Sequence, residues 1–191
     1  MRKLFWTLCA LVVGGTLIIG AALVAPAFLS QTQAQAKAVA VTCPAVPAVT
    51  VGTIRVPAGP IAGYCQDRLV NAAHIMNAAR DLGIGTHTQA IGVMTAMGES
   101  GLRNLDYGDA AGADSRGLFQ QRDNGAWGTL ADRMDPYTAA TNFFTKLVNL
   151  PNWKSLAPTE AAHAVQVNAD PNYYDAYWAD AQKVVAALAG S

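Results

Sequence analysis

The sequence predicts an all-α domain that follows an apolar N-terminal segment and a flexible linker. From Gln66 onward apolar residues recur at the three- and four-residue spacings of a helix face. Asp135-Pro136 and Asp170-Pro171 each have the form of an N-cap followed by proline at the first helical position. Ahead of residue 66 lie an uncharged apolar run and then a proline-rich stretch, each distinct from the rest. The 191 residues have room for one domain of ordinary size plus an extension. Acidic and basic residues balance at 13 each, and the basic ones form no run or stripe that would track phosphates, which argues against nucleic acid as a partner.

Arg2 and Lys3 precede an uncharged stretch from Leu4 to Leu29, long enough at ~1.5 Å per residue to cross a bilayer. Residues 1–30 are therefore read as a signal peptide or a transmembrane anchor. Ala34-Gln35-Ala36 offers a small-x-small cleavage site, whereas a retained segment would make the membrane a partner. In the second case the basic flank stays cytoplasmic. Both readings export the domain, secreted or anchored to the cytoplasmic membrane by residues 4–29. Residues 31–65, with Pro44, Pro47, Pro57 and Pro60, read as a linker containing a short extended piece at Val49 to Val56. Cys9 lies in the apolar run, which leaves Cys43 and Cys65 as an even pair in an oxidising compartment. A disulfide between them would close a loop of about twenty residues, worth about 3 kcal/mol in the chain-entropy model. His74, His87 and His163 are scattered, with no spacing that gathers ligands, so neither a metal nor a cofactor is expected.

Within residues 66–191, Leu69, Ala73, Met76 and Ala79 predict a helix over 66–82, stopped by Gly83 and Gly85. Thr86-His87-Thr88-Gln89 fits a capping box and opens a helix over 87–98. Residues 100–134 are crowded with Gly and Asp and predict a long irregular segment with a short hairpin near 115–122. Asp135-Pro136 starts a helix to about 149 carrying Tyr137, Ala140, Phe144 and Leu147. Thr159 caps a shorter one to about 167. Asp170-Pro171 starts the last, where Tyr174, Tyr177, Trp178, Ala181, Val185 and Leu188 keep the period.

One of only two glutamates, Glu99, sits where the helix over 87–98 runs out. Projected at ~100° per residue, Ala90, Met94 and Met97 fall opposite it, while Gly92, Thr95 and Ala96 share its side. Small neighbours leave room for a ligand to approach. The negative end of a helix and partly apolar surroundings both disfavour the carboxylate, as a general acid requires.

Glu99-Ser100 followed by Gly117-Leu118-Phe119-Gln120 resembles the lysozyme-like lytic transglycosylase superfamily, whose signature is Glu-Ser at a helix end and a downstream Gly-Leu-Met-Gln. The resemblance extends to the Asp135-Pro136 helix with Phe143 and Leu147 and covers roughly residues 66–188. It implies a lysozyme-like helical fold and cleavage of peptidoglycan at the β-1,4 bond between N-acetylmuramic acid and N-acetylglucosamine. Glu99 would protonate the glycosidic oxygen and then act as base, with Ser100 helping to orient it. Gly117 would permit close backbone approach, Phe119 takes the family's methionine position, and Gln120 would offer its amide to an N-acetyl group. No second carboxylate is needed if the substrate's acetamido group shields the cationic centre and its C6 hydroxyl attacks, giving a 1,6-anhydro sugar.

Hydrolysis competes: Asp106, Asp109 and Asp114 could each supply a second carboxylate, as an aspartate does in the goose-type branch, or could simply form turns. Many transglycosylases also carry a Tyr-Asn-x-Gly stretch that contacts the catalytic Glu. Here the comparable region runs from Ala164 to Pro171 and lacks it, so that either Gln166 takes over or the contact is absent. Among the aromatic residues Trp127, between Gly125 and Gly128, is the better candidate for a cleft, whereas Trp178 and Tyr174 read as core and His87 and His163 as surface or packing residues. Local wall remodelling, or opening the wall for a secretion or conjugation apparatus, would suit such a tether. A non-catalytic wall-binding module and a structural part of a membrane machine are the rivals from other classes.

Overall fold

The computed structural model describes residues 40–110 and 112–191, and over these the chain is mostly helical with one two-stranded sheet. β1 (Val49–Val51) and β2 (Ile54–Val56) pair antiparallel, Val49 opposite Val56 and Val51 opposite Ile54. Ile54 and Val56 are buried and Arg55 between them is exposed, so β2 lays two branched side chains on one face against α1 (Gln66–Asp81) and α6 (Asp175–Ala189). The segment expected as a flexible linker is, from residue 40 to 65, part of the folded unit. Its prolines all lie outside the two strands, where they cost no ladder hydrogen bond. The Cys43–Cys65 disulfide is present, with the Cα atoms 5.4 Å apart, and joins the chain ahead of β1 to the N-cap of α1. The expected signal or anchor segment, Cys9 and the first part of the expected linker lie outside the described residues. Among the described residues, no helix is long and apolar enough to cross a membrane.

The remaining elements are α2 (Thr86–Ser100), α3 (Leu130–Met134), α4 (Pro136–Val148), a 3-10 turn (Trp153–Ser155) and α5 (Pro158–Gln166). α4 starts as the sequence predicts: Asp135 Oδ1 accepts from Thr138 N at 2.7 Å, with Pro136 at the first position. Three other starts differ. The Thr86–Gln89 capping box does not form, because Gly85 is the N-cap and the buried Gln89 amide donates to Ile84 O at 2.9 Å. α5 begins before Thr159, where Glu160 accepts from Ala157 N, and the Thr159 hydroxyl donates to Pro171 O instead. Asp170 accepts from Asn172 N in a local turn, so residues 171–174 stay in turns and α6 starts at Asp175. α3, inside the stretch expected to be irregular, opens with a capping box between Thr129 and Asp132.

α2 packs against α1, α4, α5 and α6, and every residue from Thr88 to Met97 is buried. The small residues on the Glu99 side therefore admit neighbouring helices rather than a ligand. The Phe144 ring fills the notch at Gly92, Thr95 donates back to Ile91 O at 2.7 Å, and Ala96 is covered.

Replacing a mid-helix glycine with alanine ordinarily stabilises by about 0.5–1 kcal/mol. A methyl group at Gly92 would overlap the fully buried Phe144 ring, and overpacking costs about 1–3 kcal/mol. Gly92→Ala is thus expected to destabilise the protein by about 1–2 kcal/mol in urea unfolding. The loss should shrink when Phe144→Leu is added.

Candidate active site

α2 ends where it does because Gly101 and Leu102 both take the left-handed backbone, φ 61° and 60°. Gly101 N donates to Met97 O and Leu102 N to Ala96 O, the paired bonds of a Schellman ending, with the Leu102 side chain buried beneath. Arg68 and Asn71 of α1 donate to the carbonyls of Gly101 and Leu102, each at 2.8 Å. The last turn of α2, which carries Glu99 and Ser100, is thereby fixed against α1.

Glu99 is half-buried there, and three other segments converge on its carboxyl. The Tyr174 hydroxyl donates to Oε1. The Gln166 amide, at the end of α5, gives one N–H to Phe119 O at 2.7 Å and acts on the Glu99 carboxyl as a donor that favours its charged form. Asp109 of the long loop adds its negative charge. Burial pushes the Glu99 pKa above the ordinary carboxylate value, the two donors oppose that rise, Asp109 reinforces it, and the net direction is up. The Tyr174 hydroxyl is itself held neutral, its pKa raised by burial and then by the Glu99 charge. Tyr173 beside it, pushed up to about 12 chiefly by burial, donates to Gly98 O at 2.8 Å. Gly98 lets this tyrosine pair lie on the helix, since a Cβ there would crowd both rings.

Tyr174 has a contact that the sequence gave no sign of. It is fully buried, as expected of core, yet its hydroxyl makes the closest contact to the acid from 75 residues away. Gln166 donates to Phe119 O and lowers the Glu99 pKa as a side-chain donor.

The Gly117–Gln120 motif lies beside Glu99 but acts through its backbone. Arg116 and Gln121 pair across it, the short hairpin expected near 115–122. Ser100 is buried, donates to Leu118 O (2.8 Å) or Ala96 O (3.1 Å) and accepts from Arg103 N (3.1 Å). Its hydroxyl ties α2 to the motif, so it neither touches the Glu99 carboxyl nor remains free for a sugar. Gly117, at φ 77°, allows close approach of the chain's own Arg133 carbonyl, which a Cβ would overlap, rather than of substrate. The Phe119 ring is fully buried and stacked on Phe143 at 4.9 Å, leaving only its carbonyl to the site. Gln120 is half-buried, and its amide donates to Gly117 O at 3.1 Å.

Two further expectations are corrected. Asp114 accepts from Arg122 Nε at 2.6 Å and from Asp123 N at 2.8 Å; the Asp123 backbone bond is the leading cause that holds its pKa low. It braces the loop rather than standing free as a second carboxylate. Trp127 is buried, with Lys146 Nζ 4.4 Å above its ring and Asn142 donating to its carbonyl, so it packs rather than lining a cleft. Arg133, which the sequence gave no reason to single out, is buried and holds the loop together through Asp123 at 2.9 Å and the carbonyls of Asp114 and Gln121. Tyr107 and Tyr173 are the exposed aromatics of this region. Among the described residues, no group of three His, Cys, Asp or Glu is placed to hold a metal ion.

Ser100→Ala leaves the Leu118 carbonyl and Arg103 amide short of a partner and is expected to destabilise the fold by about 1–3 kcal/mol in denaturant unfolding. An acid whose folded pKa is raised gives stability that is present below its unfolded pKa and lost as pH rises through the folded one. Glu99→Gln is therefore expected to be more stable than the parent at pH 8, with the advantage disappearing near the unfolded pKa of 4.5, as paired urea titrations at the two pH values would show. No protein-family model matches this chain, and no curated protein matches it.

Proposed function

We propose that the protein is an exported, lysozyme-like enzyme that cleaves the peptidoglycan glycan strand at the N-acetylmuramic acid–N-acetylglucosamine β-1,4 bond. The observation that carries this is the Glu99 carboxyl on the last turn of a buried helix, its protonation favoured by burial and its two neutral donors, Tyr174 and Gln166, already in place. Such a group gives its proton to the glycosidic oxygen as the C1–O bond breaks. The donors stabilise the carboxylate at the moment it forms, without reorganising. The carboxylate then takes a proton from the hydroxyl that attacks C1. If that is the sugar's own C6 hydroxyl the product is a 1,6-anhydro sugar, and no second protein carboxylate is needed.

Hydrolysis by water is the second reading, favoured by Asp109, the loop aspartate whose charge acts on Glu99. Inverting glycosidases use a second carboxylate roughly 6.5–9.5 Å from the acid to activate water. Asp114 is committed to Arg122 and Asp123 and does not compete for that role. The resemblance of Glu99-Ser100 and Gly117–Gln120 to lytic transglycosylases supports the substrate class. A membrane-held form working beside a secretion or conjugation apparatus fits the apolar segment ahead of the domain.

The test is digestion of purified peptidoglycan by the full-length protein, with released muropeptides weighed by mass spectrometry. Products lighter by one water than reducing-end muropeptides are expected. Glu99→Gln should lower their release by about 100- to 10,000-fold, the usual range for a general acid. Reducing-end products lost in Asp109→Asn would make it a hydrolase. Binding of glycan with no cleavage by the parent protein would remove the enzyme reading in favour of a wall-binding module.

A further inference from the structure

The Tyr174 hydroxyl has a second neighbour besides Glu99. Asn168, in the connection between α5 and α6, has a buried Nδ2 that makes no hydrogen bond in this structure, and its side chain favours the charged form of the Tyr174 hydroxyl, as a neighbouring donor does. Its Oδ1 lies 2.8 Å from His163 Nδ1 of α5. An amide oxygen can only accept, so His163 Nδ1 carries the proton. With that free Nδ2 given to Tyr174 Oη, all donors run one way, from His163 Nδ1 to Asn168 Oδ1, from Asn168 Nδ2 to Tyr174 Oη, and from Tyr174 Oη to Glu99 Oε1. We infer that His163 and Asn168 are positioning residues, a relay that aims the Tyr174 hydroxyl at Glu99.

The backbone supports the same assignment. Val167, between Gln166 and Asn168, is a β-branched residue at φ 53° and is 76% exposed, so it holds an unfavourable conformation while burying little. The reversal at Val167 brings both its neighbours to the site: Gln166 acts on the Glu99 carboxyl as a side-chain donor, and Asn168 turns back to His163 and lies within influence of Tyr174. A donor to Tyr174 Oη polarises the hydroxyl and strengthens its bond to the carboxylate, as linked hydrogen bonds do in a low-dielectric interior. The groups that face the Glu99 carboxyl are Asp109 from the loop, Gln166 from α5, and Tyr173 and Tyr174 ahead of α6.

The catalytic meaning of the relay rests on Glu99 being the acid, but its existence can be tested without any activity. The chain has two glutamates, Glu99 and Glu160, so labelling glutamate with 13C at the carboxyl gives two signals in the full-length protein. Titrating them by NMR follows Glu99 directly. Asn168→Ala should move the Glu99 midpoint upward and leave Glu160 in place. His163→Leu should do the same, and His163→Asn, which restores a donor, should reverse part of the shift. In the Tyr174→Phe background Asn168→Ala should have no further effect. An unchanged midpoint in Asn168→Ala, or an equal shift with and without the Tyr174 hydroxyl, would overturn the relay. On solubilised glycan strands, Asn168→Ala should lower kcat by about tenfold with KM little changed, the signature of an interaction made in the transition state. If the parent protein cuts no glycan, the proposed function falls while the titration still decides whether the relay operates.

Discussion

Keeping a carboxyl at the closed end of a buried helix is the constraint around which this structure is arranged. Burial of Glu99 favours its neutral form, and the helix end offers no compensating positive charge: the cations nearby, Arg68 and Arg103, donate to the carbonyls of Gly101 and Ser100. Two uncharged donors take that place. A lysine or arginine in their position would hold the group as a carboxylate through neutral pH, whereas Tyr174 and Gln166 steady the anion without erasing the effect of burial. The choice of neutral over charged partners is what leaves the net shift of the Glu99 pKa upward.

The surroundings serve that balance indirectly. Ser100, Leu118, Phe119 and Gln166 form a chain of backbone and side-chain bonds linking the end of α2, the Gly117–Gln120 turn and the end of α5. Phe119 anchors the turn by stacking on Phe143 of α4, and Arg133 gathers the loop behind it. The motif thus fixes the position of Gln166, and through it the Glu99 carboxyl, while its conspicuous side chains are spent on the interior.

The sequence made local features legible. The Asp135-Pro136 start, the end of α2, expected at residue 98 and found at Ser100, and the pairing of Cys43 with Cys65 depend on residues close in the chain or on arithmetic, and Glu99 stood out by rarity and place. Tyr174 did not, because a hydroxyl contact across 75 residues leaves no periodic or spacing signal, and its ring fits an apolar stripe equally well. Ser100, Phe119 and Gly117 were found as positions, but a motif does not say whether a side chain faces a ligand or the core. The β1–β2 hairpin was legible only as an extended piece, since two inward residues are too short an alternation to stand out among prolines.

The long separation between Glu99 and Tyr174 also sets an order of assembly. Gln166 and Tyr174 belong to the last 26 residues of the chain, so the surroundings that shift the Glu99 pKa come into being only after α5 and α6 have docked on α2. A nascent or threaded chain carries Glu99 as an ordinary solvated carboxylate, because contacts between distant residues form late. The raised pKa of Glu99 is therefore a property of the completed fold and of no shorter piece of the chain.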